Sequence, residues 1–315
     1  MRRLVLILAT ALAAVAAQLP PADAGSGLRA TTVVADFPTG ELTVGQNAPI
    51  TGVVTGSGRP VRVQVQTKSG WLTVASTKSN EDGTFKAPAP TFWAGTHEVR
   101  MFTPATDTYQ KASSHEAVVK AKRTYSPRGG TAWNYITSAG KARWDPCTVI
   151  KYRVNPKRMP KGGLSDVHGA FKRISAASGL RFDYVGKTKY VPLSGNGRAT
   201  SAMTVAWATP KLVPGLSGST IGRGGAMWYS STSGGWHQVV SGYAVLDSTW
   251  KGKSGFGTGK TRGALLLHEL GHAIGLGHVN DSRQMMADRL SDKRAEYAMG
   301  DLRGFAAVGA ANGCI

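Results

Sequence analysis

The run of residues 268–278, which reads His-Glu-Leu-Gly-His-Ala-Ile-Gly-Leu-Gly-His, constrains this chain more than any other feature. His268 and His272 are about one helical turn apart, so on a helix both imidazoles can reach a single ion. Gly275 has no Cβ, so the chain can make a left-handed turn there, end the helix and bring His278 back as a third nitrogen ligand. Three neutral imidazoles that leave a fourth position open are typical of a catalytic zinc site, whereas structural zinc sites are closed.

Glu269 follows the first of these histidines and can face the same cleft. Its carboxylate can take a proton from a water molecule at the metal without binding the metal itself. The apolar residues 264–267 predict that the helix is buried, and histidines placed there only as core residues would each need separate hydrogen-bond partners. We therefore predict one catalytic Zn²⁺ held by His268, His272 and His278, with Glu269 as the general base.

The extended motif resembles that of the metzincin metallopeptidases, and within them the matrixin-like branch. In that clan a methionine in a tight turn packs beneath the zinc, and the resemblance gives this role to Met286, eight residues beyond His278. The chain differs from the family at Ala287 and Asp288, where Tyr-Pro is common, and it has no tyrosine two residues beyond Met286. The alternative role for this methionine and its neighbour is flexible filling of a core.

The resemblance extends beyond the motif. Residues 143–155 resemble the opening strand of secreted bacterial matrixin-like domains, and an amphipathic helix is predicted over 164–178, with Gly179 as its end. The resemblance implies an α+β metzincin-type catalytic domain at 143–315, a mixed twisted sheet that carries the zinc helix. Further strands are predicted at 182–185, 202–208 and 242–247.

Residues 28–120 differ from the rest of the chain, because short β-branched runs alternate there with Gly, Pro and Asp turns. This spacing predicts a small antiparallel sandwich, and the pattern resembles the all-β immunoglobulin-like modules of secreted bacterial proteins. We interpret His97 and His115 as ordinary surface histidines, and 121–142 as a polar linker that contains Pro and Gly. Strands of this module are predicted at 50–54, 61–66 and 71–74.

The N-terminus reads as a secretory signal peptide over residues 1–24. Two arginines precede an apolar stretch at 4–17, and Ala-Asp-Ala at 22–24 is a small-x-small cleavage site, with cleavage after Ala17 as the alternative. The apolar stretch is too short to span a membrane, and no later run is long enough to do so. We expect an exported protein without a transmembrane segment, either free outside the cell or associated with the cell wall.

Export favours a disulfide between Cys147 and Cys314, because disulfides form in oxidising compartments. Two alternatives remain open: the thiols could be free, or Cys147 could cap the zinc as an inhibitory ligand. The second is disfavoured, since the propeptide sequence Pro-Arg-Cys-Gly of animal matrixins is absent.

The formal charge of +20 raises the question of nucleic-acid binding. We do not expect a nucleic-acid partner, because the lysines and arginines are scattered over both halves and no binding motif is present. A basic surface that attracts anionic cell-wall polymers or acidic substrates is the preferred interpretation. We expect a monomer.

Two further patterns are assigned no function. Residues 255–261 resemble a phosphate-binding loop, but Ser254 stands where that motif needs glycine. His168 and His237 lack the closely spaced partners of a second zinc site. Structural calcium stays open, because no residue set can be assigned to it.

The motif and the resemblance together predict a secreted zinc-dependent endopeptidase that acts on proteins or peptides. A substrate would lie extended along an edge strand, for which 220–229 is the candidate. The alternatives are a wall-associated binding protein with an inactive peptidase fold, and a hydrolase of a non-peptide wall component. The intact Glu269 favours an active enzyme.

Overall fold

The computed structural model describes residues 27–137, 141–230 and 235–315. The signal peptide predicted at 1–24 lies outside the described residues. Within them, the three α-helices are all too short or too polar to cross a lipid bilayer.

The first part of the chain forms two sheets around one hydrophobic core. A three-stranded sheet has the order β1-β3-β6, and a six-stranded sheet has the order β2-β9-β7-β4-β5, with β8 added to β7. Buried side chains from both sheets, such as Ile50 and Val63, belong to the same core cluster. The strands are β1 Val33–Asp36, β2 Glu41–Thr43, β3 Pro49–Val54, β4 Pro60–Thr67, β5 Gly70–Lys78, β6 Thr84–Pro88, β7 Gly95–Thr103, β8 Ala112–Ser113 and β9 Ala117–Lys122.

His97 is not a surface residue, so that prediction was wrong. The residue lies at an inward-facing position of β7 and is only 6% exposed. Its Nε2 lies 3.0 Å from the carbonyl oxygen of Trp93, and the two rings are 4.4 Å apart. His115, in contrast, is exposed.

The second part of the chain is built on a six-stranded mixed sheet with the order β11-β16-β14-β12-β13. These neighbours are all parallel, and β15 pairs with β16 in the antiparallel sense. The elements are β10 Asn134–Tyr135, β11 Lys141–Arg143, β12 Ile150–Val154, α1 Gly163–Ser178, β13 Phe182–Lys187, β14 Met203–Ala208, β15 Gly222–Ser230, β16 Trp236–Asp247, α2 Arg262–Ile274, β17 Leu276–Gly277 and α3 Met299–Val308.

The helix predicted at 164–178 is α1, and Gly179 ends it with φ of 72°. The continuous strand expected at 143–155 is instead divided, because a turn separates β11 from β12. Asp145 stabilises this turn by accepting the backbone N–H of Cys147 at 3.0 Å. Pro146 has no N–H to donate to a neighbouring strand.

Residues 121–142 do more than connect the two parts. They contain the end of β9, and β10 pairs with β17 just before His278. Their final residues begin β11, which pairs with β16. The described residues of this segment therefore add strands that pair with β17 and β16.

Cys147 and Cys314 form a disulfide, which confirms that prediction and excludes both alternatives. The adjoining residues 310–314 also contact the first part of the chain. Ala310 is fully buried in the core cluster of the first two sheets. The backbone N–H of Lys68 donates to the carbonyl of Ala311 at 3.0 Å.

Candidate metal centre

Helix α2 and the loop after β17 bring three histidine nitrogens together. The Nε2 atom of His268 lies 3.2 Å from that of His272 and 3.1 Å from that of His278, and the last two are 3.0 Å apart. Tetrahedral zinc with Zn–N bonds near 2.0–2.1 Å would separate its nitrogen ligands by about 3.3 Å. The three histidines can therefore hold a metal ion.

The hydrogen bonds of two ring nitrogens show how His268 and His272 could bind a cation. His268 Nδ1 lies 2.8 Å from the carbonyl oxygen of Met285, and His272 Nδ1 lies 2.8 Å from that of Leu276. A carbonyl only accepts, so in both rings Nδ1 carries the proton and Nε2 presents a lone pair. Lone pairs that converge in this way repel one another unless a cation lies between them.

Burial keeps the helical histidines neutral. It lowers the pKa of His268 to about 4 and that of His272 to about 3. A histidine binds a metal only in its neutral form. Both rings are therefore ready to bind a metal near neutral pH.

Gly275 allows the chain to turn from α2 into β17. Its φ is 121°, a conformation that side chains with a Cβ rarely adopt. A Cβ there would also lie 2.8 Å from the carbonyl oxygen of Ala142. After the turn, His278 enters the site, and the side-chain amide of Asn134 donates to its carbonyl oxygen at 2.7 Å.

Glu269 lies at the base of the same cleft and is 5% exposed. Burial raises the pKa of its carboxyl to about 8, although the backbone N–H of Gly224 donates to it and acts in the opposite direction. A cation bound nearby would lower this pKa, because opposite charges favour the ionised form. The group is thus poised to exchange a proton near neutral pH.

Two glycines of β15 let the strand pack directly on Glu269. A Cβ at Gly222 would lie 2.5 Å from the Oε1 atom of Glu269, and one at Gly224 would collide with the carbonyl oxygen of Glu269. At Gly224 only glycine fits without a backbone shift, whereas a Cβ at Gly222 would displace the Glu269 side chain. The sequence shows the glycines but not which helix they approach.

Met286, the methionine that the resemblance places in the turn after the third histidine, packs against α2 at Gly271. It is 2% exposed, and a Cβ at Gly271 would collide with its sulfur. Asp301, in the first turn of α3, accepts the backbone N–H of Met286 at 3.0 Å and that of Met285 at 2.8 Å. Asp301 was not singled out from the sequence. The only sign of its role there is an acidic residue at the third position of a helix, where it can cap backbone N–H groups.

An open cleft with a volume of about 790 Å³ runs along these residues. One wall is the start of β15 with the residues before it, which fall within the segment 220–229 expected to form the rim. Among the described strands, β15 pairs only with β16, so no described strand lies along its other edge. The remaining lining includes Leu265, Trp250, Lys260, Asp288, Arg289 and Leu290.

The loop 255–261 is held by Asp166 of α1. The Asp166 carboxylate accepts the backbone N–H of Gly255 at 2.9 Å and the guanidinium of Arg262 at 3.0 Å. An acidic side chain therefore occupies the approach to this loop, which disfavours a phosphate there. His168 lies on α1 with its Nδ1 2.6 Å from the hydroxyl of Tyr152, and His237 lies in β16, both away from the three clustered histidines.

No protein-family model matches the chain, and a search of curated proteins also finds no match.

Proposed function

We propose that this chain is an exported zinc-dependent endopeptidase. The observation that carries the proposal is the convergence of three histidine Nε2 atoms within 3.0–3.2 Å of one another, beside the buried carboxyl of Glu269. Three imidazoles suit zinc among the available divalent metals and leave a position open for a reactant.

His268, His272 and His278 would hold the zinc, which when bound supplies Lewis acidity toward a carbonyl oxygen and a water molecule. Glu269 accepts the proton of the attacking water and passes a proton to the leaving amine. The N–H of Gly224 orients the carboxylate for this role. An extended peptide fits along the open edge of β15, where backbone hydrogen bonds would align the scissile bond with Glu269.

Export is supported by the signal-peptide pattern at 1–24 and by the disulfide, since disulfides persist in oxidising compartments. The substrates we propose are proteins or peptides. The charge of +20 favours attraction of anionic cell-wall polymers as additional partners.

The test is cleavage of casein by the purified chain, with metal content measured on the same sample. We expect one zinc per chain, loss of cleavage in a chelator and recovery on addition of zinc. Glu269→Gln should keep the zinc and lose about 10²- to 10⁴-fold in kcat, because the proton acceptor is removed while the ligands stay. Gln238→Glu, a change of similar size outside the cleft lining, is the control.

Two results would contradict the proposal. A Glu269→Gln variant that keeps its zinc and cleaves like the wild type would exclude this mechanism. A wild-type chain that binds zinc but cleaves no peptide would favour the binding protein with an inactive fold. Mass spectrometry of products from peptide and wall substrates separates a peptidase from a hydrolase of non-peptide bonds.

A further inference from the structure

The segment 128–136, here called the strap, crosses the loop that carries His278 and Met286. At its start, the carbonyl of Arg128 accepts the backbone N–H of Met299 at 2.9 Å. At its end, the backbone N–H of Ile136 donates to the carbonyl of Gly275 at 2.8 Å. The strap therefore spans the whole turn region between α2 and α3.

His278 depends on such support more than the other two histidines do. His268 and His272 are fixed by the backbone of α2, whereas His278 is exposed and follows a strand of only two residues. Among the described strands, β10 of the strap is the only partner of β17, with Asn134 opposite Gly277 and Tyr135 opposite Leu276. The strap therefore supports the third ligand, together with the bond that the backbone N–H of Val279 donates to the carbonyl of Met286 at 3.0 Å.

Hydrogen bonds from side chains of the strap and of the loop hold the two segments together. Asn134 donates its amide to the carbonyl of His278 at 2.7 Å. From the loop, Asp281 accepts the backbone N–H of Gly130 at 2.9 Å, and the buried Gln284 donates to the carbonyl of Ala132 at 2.8 Å. These three bonds hold the loop at its start, middle and end.

We infer that the strap is part of the metal centre and that Asn134 is a positioning residue for zinc binding through His278. The inference rests on the metal site of the proposed function. Groups that orient metal ligands from outside the coordination sphere typically change metal affinity by about 10- to 100-fold. Asn134 is exposed, so its loss should affect the site more than the stability of the fold.

The experiment compares Asn134→Ala and Asn134→Asp in the full chain with the same two changes at the exposed Asn196. Zinc dissociation constants are measured by competition with a chromophoric chelator. We expect both Asn134 variants to bind zinc about 10-fold more weakly. The aspartate should be the weaker binder, because its carboxylate repels the carbonyl of His278. The Asn196 variants should match the wild type.

Two further readouts separate positioning from catalysis. The visible absorption of the Co²⁺-loaded protein, which reports ligand geometry, should change in the Asn134 variants. Excess zinc should restore their cleavage rate, since Asn134 does not contact the reacting groups.

A folded Asn134→Asp variant with a zinc dissociation constant within twofold of the wild type overturns the inference. So does a pair of Asn134 variants that stay unfolded with and without zinc, because the residue would then serve the fold in general. If the wild type itself binds no zinc, the proposed function fails as well. If the wild type binds zinc and cleaves peptides while the Asn134 variants behave identically, only the inference about the strap fails.

Discussion

The carboxylate of Asp301 accepts the backbone N–H of Met286 at 3.0 Å and so joins α3 to the turn that contains Met286. The same carboxylate accepts the N–H groups of Met285 and Ala298, at 2.8 and 2.7 Å. Asp301 is only 1% exposed, and this burial raises the pKa of its carboxyl. One side chain therefore satisfies three backbone donors that would otherwise lack partners at this turn.

Asp301→Ala should lower the free energy of unfolding by about 3 kcal/mol, because it leaves buried backbone donors unsatisfied. Urea denaturation of the metal-free chain measures this change. Asp107→Ala, at an exposed position of the first module, should leave the unfolding midpoint unchanged. Equal midpoints for the two variants would show that Asp301 does not support the turn.

Gly224→Ala should push β15 away from Glu269, because the new methyl group would collide with the backbone of α2. Overpacking of this kind lowers the free energy of unfolding by about 1–3 kcal/mol. If the proposed function is right, kcat should fall by a larger free-energy equivalent, because β15 and Glu269 move apart. Gly257→Ala is the matched control, since nothing lies within 4 Å of a Cβ built there. Measurements of kcat and of the unfolding midpoint on both variants test this, and wild-type kcat in Gly224→Ala would contradict it.

The metal-free protein should lose stability as the pH falls from about 6.5 toward 4. Unfolded histidine titrates near 6.5, whereas burial lowers the pKa of His268 to about 4 and of His272 to about 3. In that interval the unfolded chain binds protons that the folded chain does not, so acid favours unfolding. Glu269 acts in the opposite direction, because its folded-state pKa is raised to about 8.

Melting temperatures in a chelator from pH 7 to pH 4 measure this dependence. His272→Asn should flatten the slope, because one of the two contributing histidines is gone while Glu269 remains. His115→Asn, at an exposed position, should keep the wild-type slope. Parallel curves for all three proteins would refute the assignment of the slope to the buried histidines.

Replacing both cysteines, as in Cys147→Ser with Cys314→Ser, should destabilise the protein. The two residues are 167 positions apart, and closing a loop of that length is worth about 5 kcal/mol in the chain-entropy model. Urea denaturation of the double variant should match that of the reduced wild type. An unfolding midpoint equal to that of the oxidised wild type would contradict the expected contribution.

The parts that could be predicted from sequence are those set by local spacing. His268, His272, Gly275 and His278 lie within one short run, so helical geometry and one glycine turn bring the nitrogens together. The helix α1 with its terminal Gly179 follows from the same kind of local pattern.

The parts that could not be predicted depend on pairing between distant segments. The strap looked like a linker, since its polar, Gly-containing sequence gives no sign that it pairs with β17. His97 was predicted to lie at the surface. The sequence of β7 does not show which of its two faces points toward the core until the sheets pack together. The role of Asp301 likewise appears only when α3 lies beside the methionine turn.

Ala310 completes the hydrophobic core of a module whose strands end at Lys122. During synthesis on the ribosome, that module emerges long before the residue that fills its interior. The interior of the module is therefore completely filled only after residue 310 has been made. The module and the sheet beside the three histidines would therefore reach their final packing together.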